Sequence, residues 1–343
     1  MIDWTSGKIS FKHDPALFNA GSVISIDSDG SKSWETRKRM EVSGSYESKF
    51  FLRSEDITSP TEAQSLSFSG NPVKFLQGHN VWGSSDLTGL VYESILKAFK
   101  ILDLAMSPEE TSDLFNGGFS LSRVDINYMY SMGSLDDVVQ WLHACEFSAR
   151  TRQGKGHFSG NTLYFQKRST RWALKFYSKH LEIKAPGHQL PRALTLGNSL
   201  IDYTKDKLRC ELTLRSKELK KYGLDKGSMW GDNEPYDLYM DYMGRLEMSE
   251  QKQLDDILLS LPRPLASTYT LWNTGYDPKA LLPKNTYYRH RRGLLEHGID
   301  ISIPSGNKPS NVVPLMRIIE AVPAEIPDWA QGTDLYFEPR KAL

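Results

Sequence analysis

Arg209-Cys210-Glu211-Leu212-Thr213-Leu214-Arg215 alternates polar and apolar residues without a break. Side chains on an extended strand point to opposite faces in turn, so Arg209, Glu211, Thr213 and Arg215 share one face. Two other segments have the same design. In Arg123-Val124-Asp125-Ile126-Asn127, the residues Arg123, Asp125 and Asn127 lie on one face, Val124 and Ile126 on the other. In Arg171-Trp172-Ala173-Leu174-Lys175-Phe176-Tyr177-Ser178-Lys179, the residues Lys175, Tyr177 and Lys179 share a face, while Trp172, Leu174 and Phe176 point into a core. Set side by side, these strands would present a carboxylate pair, a tyrosine and two lysines on one sheet surface.

Working outward, residues 7–13, 49–54 and 65–69 read as short strands, and 22–27 and 33–42 flank Asp29-Gly30, a strong hairpin signal. Residues 70–80 form a short apolar run closed by turn residues. Residues 87–106 carry apolar side chains at helical spacing behind Ser85 and Asp86. A strand over 119–130, a helix over 134–149 opened by Ser134, and paired strands over 162–166 and 171–178 follow. Then come a helix over 192–203, a strand over 208–214 and a short helix over 216–222. Beyond Gly223 the chain reads as mostly helical to about Gly298, then as a tail rich in proline, from Pro304 to Pro339. Strands first and helices after give an α+β fold.

The 343 residues hold 42 Lys plus Arg against 42 Asp plus Glu. A zero balance argues against a protein that coats nucleic acid indiscriminately, but leaves room for a local basic groove. Residues 150–192 contain ten Lys or Arg and one acid, Glu182, interleaved with Tyr164, Phe165, Trp172, Phe176 and Tyr177. That is the composition of a single-strand nucleic-acid groove, the alternative being a solvated face. Residues 224–256 reverse the balance, with nine acids and three bases: a solvated helical face, or a dock for a host protein. Cys145 and Cys210 read as buried thiols of a reducing compartment. No signal-peptide core and no run of membrane length occur, so the expectation is a cytoplasmic protein without a membrane partner. No phosphate loop of the Walker type is present, which argues against intrinsic helicase activity.

The polar set suits phosphodiester chemistry. Tyrosine is a weak nucleophile, with a free pKa of about 10, and a neighbouring ammonium favours its phenolate. Two carboxylates, Asp125 and Glu211, can hold a hard cation such as Mg²⁺ or Mn²⁺, which polarises a phosphate. Lys175 or Lys179 can stabilise a leaving oxygen. The competing reading is a set of structural ion pairs on an ordinary sheet.

The order Arg-Val-Asp-Ile (123–126), Leu-Tyr-Phe-Gln-Lys-Arg-Ser (163–169), Lys-Phe-Tyr-Ser-Lys-His-Leu-Glu (175–182) and Leu-Arg-Cys-Glu-Leu (208–212) resembles the core of plasmid rolling-circle initiators. It is more similar still to the gene II/X replication proteins of filamentous bacteriophages. In those, segments like Ser69-Gly-Asn-Pro-Val-Lys-Phe-Leu-Gln-Gly-His-Asn80 and Tyr287-Tyr-Arg-His-Arg-Arg-Gly-Leu-Leu-Glu-His-Gly-Ile-Asp-Ile301 recur. The resemblance covers about residues 65 to 301. With the change of character after Gly223, the expectation is an antiparallel-sheet nuclease domain with flanking helices over 1–223, a helical DNA-binding or accessory region over 224–303, and the tail over 304–343. The resemblance also implies a strand-specific nick at an origin, a 5′-phosphotyrosine link through Tyr177, a free 3′-hydroxyl, and later rejoining. Partners would be single- and double-stranded origin DNA of a phage or plasmid, and the host helicase and polymerase. In the wider HUH class of nickases a His-hydrophobic-His triplet binds the metal, but here only Gln77-Gly78-His79 stands, so His79 is either a lone third ligand or a turn histidine.

Arg123, Lys167, Arg168 and Arg171 are candidate DNA contacts beside Tyr177. A helix capped near Asn285 would expose Lys284, Tyr288, Arg289, Arg291 and Arg292. With residues 277–282 before it, it forms either a helix-turn-helix that reads duplex DNA or a plain basic surface helix. Tyr130, Tyr164 and Tyr203 are the alternative nucleophiles, each more easily read as a packing tyrosine. A plasmid initiator or conjugative relaxase, and a non-catalytic DNA-binding repressor, are the competing functions.

Overall fold

The computed structural model describes residues 1–343 except 45, 47, 249–260, 274, 304–321 and 340–343. In chain order come β1 (Ile2–His13), β2 (Ser22–Ile26), β3 (Lys32–Arg37), β4 (Met40–Ser43), β5 (Lys49–Ser59) and β6 (Glu62–Gly70). Helices α1 (Pro72–Gln77), α2 (Leu87–Ile101) and α3 (Pro108–Phe115) lead to β7 (Phe119–Ser131). Next are α4 (Leu135–Ser148), β8 (Ala149–Thr151), β9 (Gly154–Lys155), β10 (His157–Ser159), β11 (Thr162–Phe165) and β12 (Trp172–Ser178). Then follow α5 (Lys179–Lys184), α6 (Gly197–Tyr203), β13 (Lys207–Arg215), α7 (Ser216–Tyr222), α8 (Glu234–Met243) and β14 (Glu247–Met248).

Among the described residues, nine strands make one antiparallel sheet in the order β10-β11-β12-β13-β7-β1-β6-β5-β4. The three alternating segments are its centre: β12 pairs with β13, and β13 with β7. Their apolar residues Leu174, Phe176, Leu212, Leu214, Val124 and Ile126 are buried in one core with Trp141 and Leu142 of α4 and Tyr239 and Tyr242 of α8. Trp141 packs on Phe176 at 5.5 Å between ring centres, and Tyr242 on Trp172 at 5.0 Å. Each fully buried aromatic of this kind contributes about 2–3 kcal/mol through removal of its surface from water. The fold is α+β, with helices against the sheet and a helical C-terminal region after it.

Two irregularities in β1 matter for function. The register slips between Ile2 and Trp4, opposite Ile126 and Asp125, and again at Ser6 and Gly7, opposite Arg123 and Leu121. The first bulge brings Asp3 to Asn71, Asn80 and Arg209. At the second, β1 and β7 approach so closely that a Cβ on Gly7 would lie 2.2 Å from the Ser120 carbonyl oxygen. Only glycine fits there.

Several expected elements are corrected. β12 stops at Ser178, whose hydroxyl caps α5 by accepting from the Leu181 amide, so Lys179 is the first residue of a helix and not of the strand. The strand expected over 33–42 is two strands, because β3 pairs with β2 in a separate ribbon and β4 pairs with β5. The helix expected over 192–203 begins only at Gly197. Neither α1 nor α3 was expected, although Asn71-Pro72 and Ser107-Pro108-Glu109-Glu110 carry their N-terminal caps, the second a full capping box.

The core does not end at Gly223: Trp230, Leu238, Tyr239, Tyr242, Met243 and Leu246 belong to it. A second cluster joins Val81, Trp82, Met129, Ile183 and Leu200 to Ala330 and Leu335. The described part of the proline-rich tail is thus folded back. The Ala324 amide donates to the Met129 carbonyl (2.7 Å), the Phe337 amide to Gln77 Oε1 (2.9 Å), and the Tyr203 hydroxyl to the Glu325 carbonyl (2.8 Å). The helices Arg263–Asn273, Pro278–Leu281 and Lys284–Leu295 form a third cluster around Leu261, Tyr269, Tyr287, Leu294, Ile299 and Ile301. No helix among the described residues is long and apolar enough to cross a membrane.

Candidate active site

The antiparallel register sets the site out in rows across the polar sheet face. Tyr177 stands opposite Arg209, and Arg209 opposite Met129. Lys175 stands opposite Glu211, and Glu211 opposite Asn127. One row on, Thr213 is opposite Asp125, which faces Trp4 of β1.

Glu211 is the meeting point. It is 1% exposed, and its Oε1 lies 2.5 Å from Lys175 Nζ while its Oε2 accepts from the Tyr177 hydroxyl at 3.2 Å. Burial pushes its carboxyl up to about 7; Lys175 opposes this, and the nearby charges of Asp3 and Asp125 add to it. Against its own burial, Lys175 is held above the ordinary lysine value by Glu211, Asp125 and Asp3. Tyr177 is 7% exposed, and burial, then the Glu211 charge, raises its hydroxyl well above the usual tyrosine value, with Arg209 working the other way. The expected ammonium-stabilised phenolate is therefore not the resting state. Lys175 spends its charge on Glu211, and Tyr177 rests as a phenol.

Asp125, also 1% exposed, is gripped through both oxygens by Arg123, at 2.8 Å (Nε) and 2.6 Å (Nη2). Arg123 in turn lies over the Trp4 ring, 5.6 Å from its centre. Asp3 accepts from Asn71 Nδ2 (2.9 Å) and Asn80 Nδ2 (2.8 Å). Burial would raise its carboxyl, but Arg209, Lys175 and Lys179 overcome that and lower it.

Lys179 is fully buried at the start of α5, donating to Asn80 Oδ1 (2.9 Å) and Glu182 Oε2 (2.7 Å). Burial and the Arg209 charge lower its ammonium to about 8. Arg209 has no exposed surface, and its Nη2 donates to the carbonyls of Asn80 and Val81. Asn80 thus joins Asp3, Lys179 and Arg209 through three different atoms. Arg209 Nε and Asn127 Nδ2 are buried without a hydrogen-bond partner among the described residues.

His79 is placed differently from the other candidates. Its Nδ1 accepts from the Val81 amide (3.2 Å) and its Nε2 donates to the Leu335 carbonyl (2.8 Å), which also accepts from Trp82 Nε1 (2.9 Å). Both ring nitrogens are used, and burial lowers the imidazole to about 4. This is the geometry of the turn histidine. Among the described residues, no three His, Cys, Asp or Glu side chains stand ready to hold a metal ion.

The aromatic groove is corrected as well. Phe165, Trp172 and Phe176 are core residues, leaving the half-buried Tyr164, with Lys167 Nζ 4.6 Å from its ring centre. Lys167 and Arg168 are exposed on the turn before β12, and Arg171 pairs with Glu218 at 3.2 Å. In the third cluster Lys284, Arg289 and Arg292 are exposed, whereas Arg291 is tied through two 2.8 Å bonds to Asp300. Tyr130 is buried against Tyr239, and the Tyr203 hydroxyl is engaged with the tail. Sequence reading passed over Asp3, because a bulge and not alternation sets its place, and Asn80, although it closes the quoted 69–80 run.

A family profile for the N-terminal part of the phage replication-associated protein matches residues 1–233, and one for the C-terminal part of the same protein matches 254–336. The replication-associated protein of Enterobacteria phage I2-2 is 40% identical over 99% of both chains. That of Enterobacteria phage M13 is 25% identical over 77% of this chain and 76% of its own, and that of phage f1 is the same to within a percentage point. The first profile ends at 233, before the last main-core residues of α8, the second begins at 254, ahead of the third cluster, and the first encloses every residue named around Tyr177. The chain belongs to the phage replication-associated protein family that these two profiles define.

Proposed function

We propose that this protein starts rolling-circle replication of a phage genome by nicking one strand of the origin and later rejoining it through Tyr177. The observation that carries the reading is the hydrogen bond from the Tyr177 hydroxyl to Glu211, inside a ring of Lys175, Lys179, Arg209 and Arg123. A buried tyrosine bonded to a carboxylate has an acceptor waiting for its proton. The donors on Arg209 Nε and Asn127 Nδ2, buried and without a hydrogen-bond partner among the described residues, suit phosphate oxygens.

In the forward step Tyr177 Oη attacks the phosphorus and passes its proton to Glu211. The bond from phosphorus to the 3′-oxygen breaks, and that oxygen leaves with a proton as a 3′-hydroxyl. The 5′ side stays on the enzyme as a phosphotyrosine diester. In rejoining, a 3′-hydroxyl attacks the diester and Tyr177 leaves, taking a proton back. One diester is exchanged for another in each direction, so no nucleotide is consumed. Lys179, lowered to about 8 by burial and Arg209, is suited to give up a proton to the leaving oxygen.

Asp125 and Glu211, with no third carboxylate or imidazole grouped with them as a ligand among the described residues, are the pair that would have to hold Mg²⁺ or Mn²⁺, which when bound would neutralise charge on the scissile phosphate. Their mutual repulsion, which helps push Glu211 up to about 7, suits a divalent cation, and their ion pairs with Arg123 and Lys175 would have to open. The substrate is origin DNA, with host helicase and polymerase acting after the nick. Replacing Tyr177 by Phe removes only the hydroxyl. Nicking of supercoiled origin DNA should then disappear while DNA binding stays; a Phe variant that nicks at the wild-type rate would refute the assignment.

A further inference from the structure

Arg171 is six residues before Tyr177, at the opposite end of β12, and it opens a cavity of about 510 Å³. Lys217, Glu218 and Lys221 of α7, Arg245 after α8 and Gln153 line it with Arg171. Four cations face one acid. Glu218 is buried at the floor, where it accepts from the Tyr242 hydroxyl (2.6 Å) and Arg171 Nη1 (3.2 Å). Lys221 Nζ and Arg245 Nη1 stand off at 3.9 and 3.8 Å. Arg245 Nη2 is also paired with Asp241 (2.5 Å), so Glu218 and Asp241 together offset two of the four positive charges. Arg245 is fixed in plane by stacking, with its guanidinium carbon 3.7 Å from the Tyr242 ring centre and 5.7 Å from that of Trp172. Lys217 and Lys221 reach into solvent.

We propose that this pocket is a second phosphate site, which holds a phosphodiester of the same DNA strand several nucleotides away from the one cut at Tyr177. The inference rests on the nickase reading. A guanidinium pre-set by stacking, beside two exposed ammonium groups, is a suitable cradle for a phosphate. The spacing fits a strand laid along β12. Six residues of strand span about 20 Å. That is roughly six nucleotides at the ~3.4 Å per-strand rise of duplex DNA, and fewer in a stretched single strand. The turn carrying Lys167 and Arg168 continues the basic surface, since Gln166 Nε2 of that turn donates to Gln153 Oε1 at 3.0 Å.

The test compares wild type with Lys217→Glu/Lys221→Glu and the milder Lys217→Gln/Lys221→Gln in the full chain. Both positions are exposed, and thermal melts check that the variants stay folded. Binding of a fluorescein-labelled single strand of about 20 nucleotides is measured across a salt series, beside a strand of about three nucleotides that cannot reach both sites. The long strand should bind about tenfold more weakly to the Glu variant, less so to the Gln variant, with a salt slope shallower by roughly 0.7, as expected for one lost phosphate contact on a single strand. The short strand should bind all three proteins alike. Equal affinity and slope for the long strand, or an equal loss for both lengths, would overturn the pocket. Adduct formation by wild type in the same assay reports on the nickase reading separately.

Discussion

At the scale of single residues, the site is a balance of buried charges, and each member can be moved alone. Asp125→Asn and Glu211→Gln keep size and shape but remove the negative charge that a divalent cation needs. Each should cut nicking by two orders of magnitude or more, while a folded variant still binds origin DNA. An excess of EDTA should stop the wild type. If both variants merely melted earlier and nicked at the wild-type rate, the carboxylates would be structural ion pairs and no more. His79 gives a test on stability. Its imidazole falls from 6.5 to about 4 on folding, mainly through burial. A base lowered on folding contributes stability that is complete above its unfolded value and is lost as pH drops towards the folded one. About 3 kcal/mol of stability is lost as pH falls from above 6.5 to about 4. The stability gap between wild type and His79→Gln, read by urea titration, should therefore narrow from pH 7 to pH 4.5. A gap of constant width would show that the histidine is not buried neutral.

At the scale of elements, the three central strands were legible because alternation alone decides which residues share a face. Lys175, Tyr177, Asp125 and Glu211 needed nothing else. Lys179 was misplaced because Ser178 ends the strand with a cap, a choice between two local hydrogen-bond patterns that alternation does not weigh. Asp3 was invisible for the opposite reason, since a bulge moves a side chain without leaving a mark in composition. The basic helix was readable as a helix, but the pairing of Arg291 with Asp300 depends on the turn after it. Its exposed cations are Lys284, Arg289 and Arg292. Replacing those three with Ala should abolish nicking of supercoiled origin DNA and spare cleavage of a short single strand, because projecting arginines can read guanine edges in a duplex. Loss of both activities to the same degree would place this helix in the catalytic groove. Arg291→Ala should instead cost about 1 kcal/mol of stability, a modest figure for a partly exposed pair, read as a lower melting temperature.

At the scale of the whole molecule, the tail is the main departure from what the sequence suggested. Proline content marks a segment that forms no helix or strand, but it does not say where the segment lies. Here Leu335 accepts from both His79 and Trp82, and His79 precedes Asn80, the residue that joins Asp3, Lys179 and Arg209. The tail is thereby coupled to the site through one turn. Cutting the chain after residue 321 should lower the melting temperature by several degrees and weaken nicking, even though, among the described residues, no tail residue bonds to Tyr177. Unchanged stability and activity would show the tail to be a passenger. The central claim, that this fold exists to make a covalent bond from Tyr177 to DNA, has a more direct test. Wild-type protein is incubated with supercoiled cognate origin DNA and Mg²⁺, the reaction is stopped in denaturant, nuclease trims the DNA, and the modified peptide is identified by mass spectrometry. The expected result is a 5′-linked nucleotide on the peptide that contains Tyr177, absent from Tyr177→Phe. A nicked product with no adduct, or an adduct on Tyr164 or Tyr203, would contradict it.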